Sequence, residues 1–323
     1  MQHLRPADVL RRGPGPVAGG PARRRWEFMV LPGESAHEMQ KAERAWELLA
    51  PWGLTPDNAE LERSAVYRFQ ARWARQWNKG RCLIGGDAAH LMPPFAGEGM
   101  CAGIRDAVAM AWRLNGILEG RFGLEVLDSY TSERIEHAKH YIGFSQELGQ
   151  IICIADDEVA AGRDARMMAD LAARGMTPVP TDICQLGRGA WCGDSAHAGQ
   201  LSVQGLVEAG GKRDRFDQVV GQGWVLLGHG SDPLAALTEA QRRDFAALEG
   251  IAVRLAAPGG EGDVVDAEGT IGRWLDRIGA KYVLIRPDFY VALTADSAEQ
   301  LQARFARVTG ALHLSRPAAM AAE

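Results

Sequence analysis

Hydrophobic positions change their period several times along the 323-residue chain. Residues Arg24 to Leu31 (RRWEFMVL) make a short, largely apolar stretch closed by Pro32 and Gly33, which predicts a strand. From Ala36 to Ala50 the spacing becomes helical, with Met39, Ala42, Trp46 and Leu49 on one face, until Pro51, Gly53 and Pro56 stop it. Between Glu62 and Trp73 the chain alternates, Val66, Arg68 and Gln70 against Tyr67, Phe69 and Ala71, the period of a half-buried strand. Arg81 to Gly86 (RCLIGG) is an apolar run ending in glycines, as expected of a buried strand that feeds a tight turn. After a loop carrying Pro93, Pro94, Gly97 and Gly99, a helix is predicted from about Met100 to Glu119. It carries a stripe of Ile104, Val108, Ala111 and Leu114 or Asn115, and Gly120 is placed to cap it. A second long helix is predicted from Leu124 to about Ala155.

Beyond Asp156 the pattern is acidic, with a short helix at Asp164 to Arg174 and then Pro178 and Pro180, which reads as a linker. Strand-turn units follow: Gly223 to Gly228, Ile251 to Leu255, Lys281 to Arg286, and Phe289 to Leu293 across Pro287. Helices intervene at Thr238 to Glu249, Thr270 to Ile278 and Ser297 to Val308. The expected fold class is α/β with an α+β first domain. The expected division is a disordered leader over 1–20, a first domain over 21–155, a linker over 156–181 and a second domain over 182–316.

Composition removes several classes of function. A formal net charge of -5 offers no basic footprint for nucleic acid. No run approaches the roughly 18 apolar residues of a membrane-spanning helix. The five cysteines form an odd set without CxxC, which fits free thiols in a reducing cytoplasm, most of them buried as small hydrophobes. Residues 1–20 mix Arg with Pro and Gly and lack the apolar core of a secretory signal, so a disordered leader or a misplaced start is expected.

Chemistry concentrates in Gly85-Gly86-Asp87-Ala88-Ala89-His90. A strand that ends in glycines lets another molecule approach the backbone, and the Asp87 carboxylate beyond it is an acceptor-only group suited to a hydroxyl-rich ribose or ribityl chain. Pro94 to Gly99 then deliver the chain to a helix whose first amides, about Met100 to Gly103, are unpaired and partially positive. Such an end stabilises an anion, including the charge that a reduced flavin carries on its pyrimidine edge.

The run GDAAHLMPPFAGEGMCAGIRDAVAMAWRL closely resembles the second FAD motif of the group A flavoprotein monooxygenases, most nearly the 3-(3-hydroxyphenyl)propionate hydroxylase branch. Weaker resemblance extends through RRWEFMVLPGE, VYRF, LDSYTSERIEHA and VLIRPDFYVAL. It implies the C-terminal part of an FAD/NAD(P)-binding monooxygenase fold followed by a thioredoxin-like α/β domain. It also implies an FAD site formed by Gly86, Asp87, Pro93, Pro94, Gly97, Gly99, Met100 and Cys101. Asp87 would meet the ribityl or pyrophosphate portion, Pro93 and Pro94 the isoalloxazine, and the amides of Gly97 to Gly103 its pyrimidine edge. Tyr67, Phe69 and Phe95 would line the substrate pocket. The implied reaction is NADPH- or NADH-dependent hydroxylation of a phenolic acid by O₂ through a flavin C4a-hydroperoxide, in a cytoplasmic enzyme that could be a homodimer and uses neither metal nor membrane.

Three departures qualify this. Glu98 stands where the family usually has Gln, and a carboxylate beside an anionic flavin is unfavourable unless it faces solvent or is protonated. Ala109 and Met110 replace the usual Asn-Leu. The GxGxxG unit that binds the ADP half of FAD is absent, because Gly13, Gly15, Gly19 and Gly20 lie among prolines with no preceding strand. The expectation is therefore an N-terminally truncated member. The alternative is a catalytically inactive remnant, or a subunit-contact module unable to hold FAD alone.

Other constellations read as structural. Glu133, Glu136, His137 and His140 have helical spacing, but His140 is rotated away from Glu133, and no metal is expected. His90, Arg105 and Asp106 are expected to pack or pair with neighbours. Gly193-Asp194-Ser195-Ala196-His197 echoes the earlier motif without its strand, loop or helix. Ser195 and Ser231 lack a nucleophile elbow.

Overall fold

A computed structural model describes residues 23–175 and 184–314. They fall into two units, one formed by 23–70 and 146–175 and the other by 71–145 and 184–314. The expected leader and the prolines at 178 and 180 lie outside the described residues.

In the first unit, residues 24–31 form no regular element and pair with no strand among the described residues, contrary to the strand expected there. Residues 62–71 likewise lack cross-strand partners among the described residues. A strand exists by pairing its backbone groups, so alternation without a neighbouring strand does not make one. Side chains join the two regions, Arg23 on Glu62 at 2.9 Å and the Tyr67 hydroxyl on Glu27 at 3.4 Å. The expected helix is broken at Gln40 and Lys41 into Ala36–Met39 and Ala42–Leu49, with Met39 and Leu49 buried. The acidic stretch forms a helix from Asp157 to Arg174, longer than the one expected from Asp164. The Asp156 side chain caps it by accepting from the Glu158 and Val159 amides, both at 3.0 Å.

The second unit opens with four two-residue strands: β1 (Arg72–Trp73), β2 (Asn78–Lys79), β3 (Cys82–Leu83) and β4 (His90–Leu91). β1 pairs antiparallel with β4, and β2 with β3 across Gly80, whose φ of 56° supplies the tight turn. The strand expected from Arg81 to Gly86 is thus short, and it is not buried, since Cys82 and Ile84 are exposed. Its apolar residues have no second sheet neighbour among the described residues. The helix Gly99–Leu118 follows and ends at Gly120, in the left-handed region at φ 72°, as expected. Val126–Ile152 is the long helix expected next.

The rest of this unit is a seven-stranded mixed sheet in the order β11-β10-β7-β8-β9-β5-β6. Its strands are β5 (Leu206–Ala209), β6 (Lys212–Arg215), β7 (Val225–His229), β8 (Ile251–Ala256), β9 (Val264–Asp266), β10 (Tyr282–Ile285) and β11 (Val291–Ala295). β7 and β8 run parallel, as a crossover through the Glu239–Ala247 helix requires, and β10–β11 is an antiparallel hairpin beside β7. The Ala298–Ala311 helix follows β11 and packs Leu301, Phe305 and Val308 into the core on one face of this sheet. Apolar clusters lie on both faces of the sheet. Leu226, Leu284 and Phe305 belong to one, Leu227, Val283 and Trp274 to the other. No disulfide joins the five cysteines among the described residues, and only Cys192 is buried; Cys82 and Cys153 are exposed, so most are not the core residues expected.

Candidate functional site

Gly86–Ala88 forms a single 3-10 turn directly after β3. The glycines there make room for the protein itself. A Cβ on Gly85 would lie 2.8 Å from the end of Met110 and 2.9 Å from the Tyr130 hydroxyl. Gly86 has a φ of 57° and meets Gly103 in the first turns of the following helix, where a Cβ would sit 3.8 Å from the Gly103 Cα. The turn is pinned by a carboxylate twenty residues later. Asp106 Oδ2 accepts from the Gly86 amide at 2.9 Å and from His90 Nε2 at 2.8 Å, while Oδ1 accepts from Arg134 Nε at 2.8 Å. All three side chains are buried. Burial opposes the charge on Asp106, but the His90 hydrogen bond and the Arg134 guanidinium prevail and hold its carboxyl below the usual range. His90 and Asp106 are thus the structural residues that the sequence suggested.

Asp87, at the crest of this turn, is different. Its carboxylate is exposed and, among the described residues, makes no hydrogen bond or ion pair. Ahead of the helix, Pro94–Ala96 makes another 3-10 turn, closed by Gly97 at φ 67°. The Pro93 carbonyl accepts from the buried Ser145 hydroxyl at 2.5 Å, which fixes the loop to the long helix. Glu98 occupies the N-cap position but caps nothing with its side chain. Amides of Gly99, Met100 and Cys101 therefore have no acceptor among the described residues, and Ala102 begins the ladder by donating to the Glu98 carbonyl at 2.8 Å. The Glu98 carboxylate is paired: Arg105 Nη1 donates to it at 3.0 Å, and that guanidinium lies over the Tyr141 ring at 5.3 Å. The unfavourable charge expected at Glu98 is compensated from within the same helix.

The buried face of this helix is the reverse of the one its apolar stripe predicts. Ile104, Val108 and Leu114 are exposed, with Met100 and Leu118 beside them at 76% and 83%, whereas Ala102, Asp106, Ala109, Trp112, Arg113 and Gly116 are buried. Polar anchors choose the face. Arg113 donates to Glu133 Oε2 at 2.7 Å, and Arg286 donates to both Glu133 oxygens at 2.8 Å. Arg286 also donates to Asp288 Oδ1 at 2.9 Å and Oδ2 at 2.6 Å, and Trp112 Nε1 donates to Asp288 Oδ2 at 2.9 Å. Glu133 Oε1 further accepts from the Ala190 amide. Burial opposes the charge on Glu133, but the Arg113 and Arg286 charges outweigh it and bring its pKa down to about 2. One turn along, burial together with Arg134 and Arg105 brings the His137 imidazole down to about 2, so it is neutral. Glu133 is committed to two guanidinia and an amide, which leaves no oxygen for a metal.

The structure brings Gly86, Asp87, Pro93, Pro94, Phe95, Gly97, Gly99, Met100 and Cys101 into one unit, on a turn, a loop and a helix start that touch one another. Tyr67 and Phe69 belong to the other unit, where their rings lie 6.2 Å apart and both are exposed. The Gly193–His197 echo has no such setting, because the Ser195 hydroxyl is buried against Thr294. Sequence reasoning missed the anchoring roles of Arg113, Arg286 and Asp288. The available signal was an arginine inside an apolar helix and an Arg-Pro-Asp between two buried strands.

Residues 16–145 match the family model of an FAD binding domain, and residues 199–311 match the HcaD C-terminal domain. A probable NADH-specific resorcinol 4-hydroxylase of Rhodococcus jostii (strain RHA1) is 34% identical over 87% of this chain and 52% of its own length. The 3-(3-hydroxy-phenyl)propionate/3-hydroxycinnamic acid hydroxylase 2 of Burkholderia vietnamiensis (strain G4 / LMG 22486) is 33% identical over 85% and 54%. Among solved structures, aklavinone-11 hydroxylase with FAD and aklavinone shares the fold with a TM-score of 0.59 at 24% identity, over 86% of this chain and 52% of that one. The flavin-dependent monooxygenase PieE does so with a TM-score of 0.60 at 21% identity, over 88% and 56%. The chain thus carries an FAD binding domain segment and an HcaD C-terminal domain segment, and is similar to FAD-dependent aromatic hydroxylases. It spans about half the length of the curated relatives it matches.

Proposed function

We propose that this chain provides the flavin-contacting turn and helix of an FAD-dependent, NAD(P)H-consuming hydroxylase acting on a phenolic acid such as 3-(3-hydroxyphenyl)propionate. The observation that carries this is the pairing of an exposed, unpartnered Asp87 carboxylate with the acceptor-free amides of Gly99, Met100 and Cys101. Asp87 would accept from hydroxyls of the cofactor's ribityl portion, and the three amides would meet negative charge on the ring edge. Pro93 and Pro94 would flank the ring, with Gly86, Gly97 and Gly99 shaping the backbone around it. Bound FAD, reduced by NADH or NADPH, supplies O₂ activation and oxygen transfer to the ring.

The protein's part is to hold these groups. Asp106 keeps the Asp87 turn in place through the Gly86 amide, and Arg105 neutralises Glu98 so that the helix start retains its positive character. Phe95 is proposed to contribute aromatic surface to the substrate, and the sheet of 206–295 a structural or homodimer-contact role. A cytoplasmic setting is proposed on the five cysteines, which form no disulfide among the described residues. No described helix is long and apolar enough to cross a membrane. To test the reading, the purified chain is mixed with FAD, NADH and 3-(3-hydroxyphenyl)propionate. Uptake of yellow colour and formation of a dihydroxylated product are expected; a colourless protein that forms no product overturns it for this chain.

A further inference from the structure

A cleft of about 560 Å³ lies in the second unit, lined by Trp73, Arg75, Ser132, Ile135, Glu136, Lys139 and Arg188. We propose that it binds a phosphorylated aromatic nucleotide, the base stacked on Trp73 and the phosphates on Arg75 and Arg188. Its charge is the opposite of the chain's. Three cations face one carboxylate, a local formal charge of +2 in a protein whose net charge is -5. Lys139 is shared, with its ammonium 2.6 Å from Glu136 and 5.7 Å from the centre of the Trp73 ring. Arg75 and Arg188 are exposed and have no ion-pair partner among the described residues.

These groups are rigidly mounted. Trp73 lies in β1 opposite His90, and the Ala74 amide donates to the Ala89 carbonyl at 2.7 Å. The Trp77 indole closes the next turn on the Ala74 carbonyl at 3.0 Å, which fixes the backbone of Arg75. Arg188 sits between two glycines pressed on the long helix: a Cβ on Gly187 would fall 2.2 Å from the Ser132 carbonyl, and one on Gly189 2.2 Å from Glu133 Oε1. Only glycine permits that approach, and it holds Arg188 at the rim. The Trp73 indole, 42% exposed, offers a stacking face. Planar guanidinia suit phosphate oxygens. The volume lies within the roughly 300–1,000 Å³ of small-molecule sites and far exceeds what a simple anion needs. A diphosphate matches two free guanidinia better than a single carboxylate does. The dinucleotide reductant and a free nucleotide share this chemistry, while FAD is assigned to the Asp87 site.

The test is calorimetric titration of the full chain with ADP, NADH, FAD, inorganic phosphate and 3-(3-hydroxyphenyl)propionate, repeated on Arg75→Ala/Arg188→Ala and Trp73→Leu. ADP and NADH are expected to bind saturably and to weaken about tenfold or more in the double variant, with an unchanged thermal midpoint. Trp73→Leu is expected to weaken ADP and leave phosphate unaffected, and Trp73→Tyr to restore ADP. FAD uptake by the double variant should equal that of the unaltered chain, which separates this cleft from the Asp87 site. Absence of ADP and NADH binding at millimolar concentration overturns the proposal. So do unchanged affinity in the double variant, phosphate bound as tightly as ADP, preferential binding of the phenolic acid, or loss of FAD uptake in the double variant.

Discussion

In the C-terminal sheet, β10 and β11 bury Val283, Leu284, Val291, Ala292 and Leu293 completely, whereas the turn and helices around Gly86 bury Asp106, Arg113, Glu133 and Arg134 and leave Met100, Ile104 and Leu118 open. Apolar burial is forgiving, since shape errors cost in proportion to volume and neighbours can relax. A buried ion pair is not. Its desolvation can consume its Coulombic gain, so it adds little net stability while intact, yet removing one partner strands a charge. The candidate site is therefore built on contacts whose value lies in fixing geometry. Asp106 sets the Gly86 turn and Glu133 ties the Gly99–Leu118 helix, through Arg113, to Arg286 at the end of β10.

Changes that break one side of this contrast and spare the other should sharpen it. The largest effect is expected from Glu133→Gln, which leaves Arg113 and Arg286 short of a counter-charge. We expect a loss of about 3–5 kcal/mol in urea unfolding. Acidification comes next. His137 has a folded pKa far below its unfolded value, so the unfolded chain binds the extra proton and stability falls as pH drops below about 6.5, by up to roughly 1.4 kcal/mol per pH unit. Glu133 is also depressed, to about 2. Its contribution is complete above its ordinary pKa of 4.5 and is lost as pH falls from there toward 2, about 3 kcal/mol in total. Stability curves measured at successive pH values should steepen below pH 4.5, and His137→Gln should remove the earlier phase alone. At the small end, Ile285→Val in β10 should cost only about 0.5–1.5 kcal/mol. A larger loss there than in Glu133→Gln would contradict the division between the two regions.

The same contrast decides what could be read in the sequence. Strands expected at Gly223 to Gly228, Ile251 to Leu255 and Lys281 to Arg286 appear as Val225–His229, Ile251–Ala256 and Tyr282–Ile285, because apolar runs bounded by turns express themselves locally. The β5–β6 hairpin was missed, as Lys212–Arg215 is wholly charged. Its signal was Gly210-Gly211, both at positive φ, in a two-residue turn. In the first half, period alone misled. The alternation at 62–71 describes a strand whose partners are absent among the described residues, and the stripe on the Gly99–Leu118 helix marks its exposed side. Where the motif predicts a turn and then a helix from about Met100, the chain forms a 3-10 turn at Gly86–Ala88 and a helix from Gly99. That Asp106 holds the turn, and that Arg113 meets Arg286 on a common carboxylate, depends on contacts across 20 and 153 residues that no local pattern encodes.

The central claim is that Asp87 is free because it is reserved for a ligand. Equilibrium dialysis of FAD against the unaltered chain and Asp87→Ala, alongside urea unfolding of both, tests it directly. Removal of an exposed, unpaired carboxylate should change stability by less than about 0.5 kcal/mol, while FAD affinity should fall tenfold or more, an effect of roughly 1.4 kcal/mol or greater. Equal FAD binding by the two proteins, or no binding by either, would contradict the account.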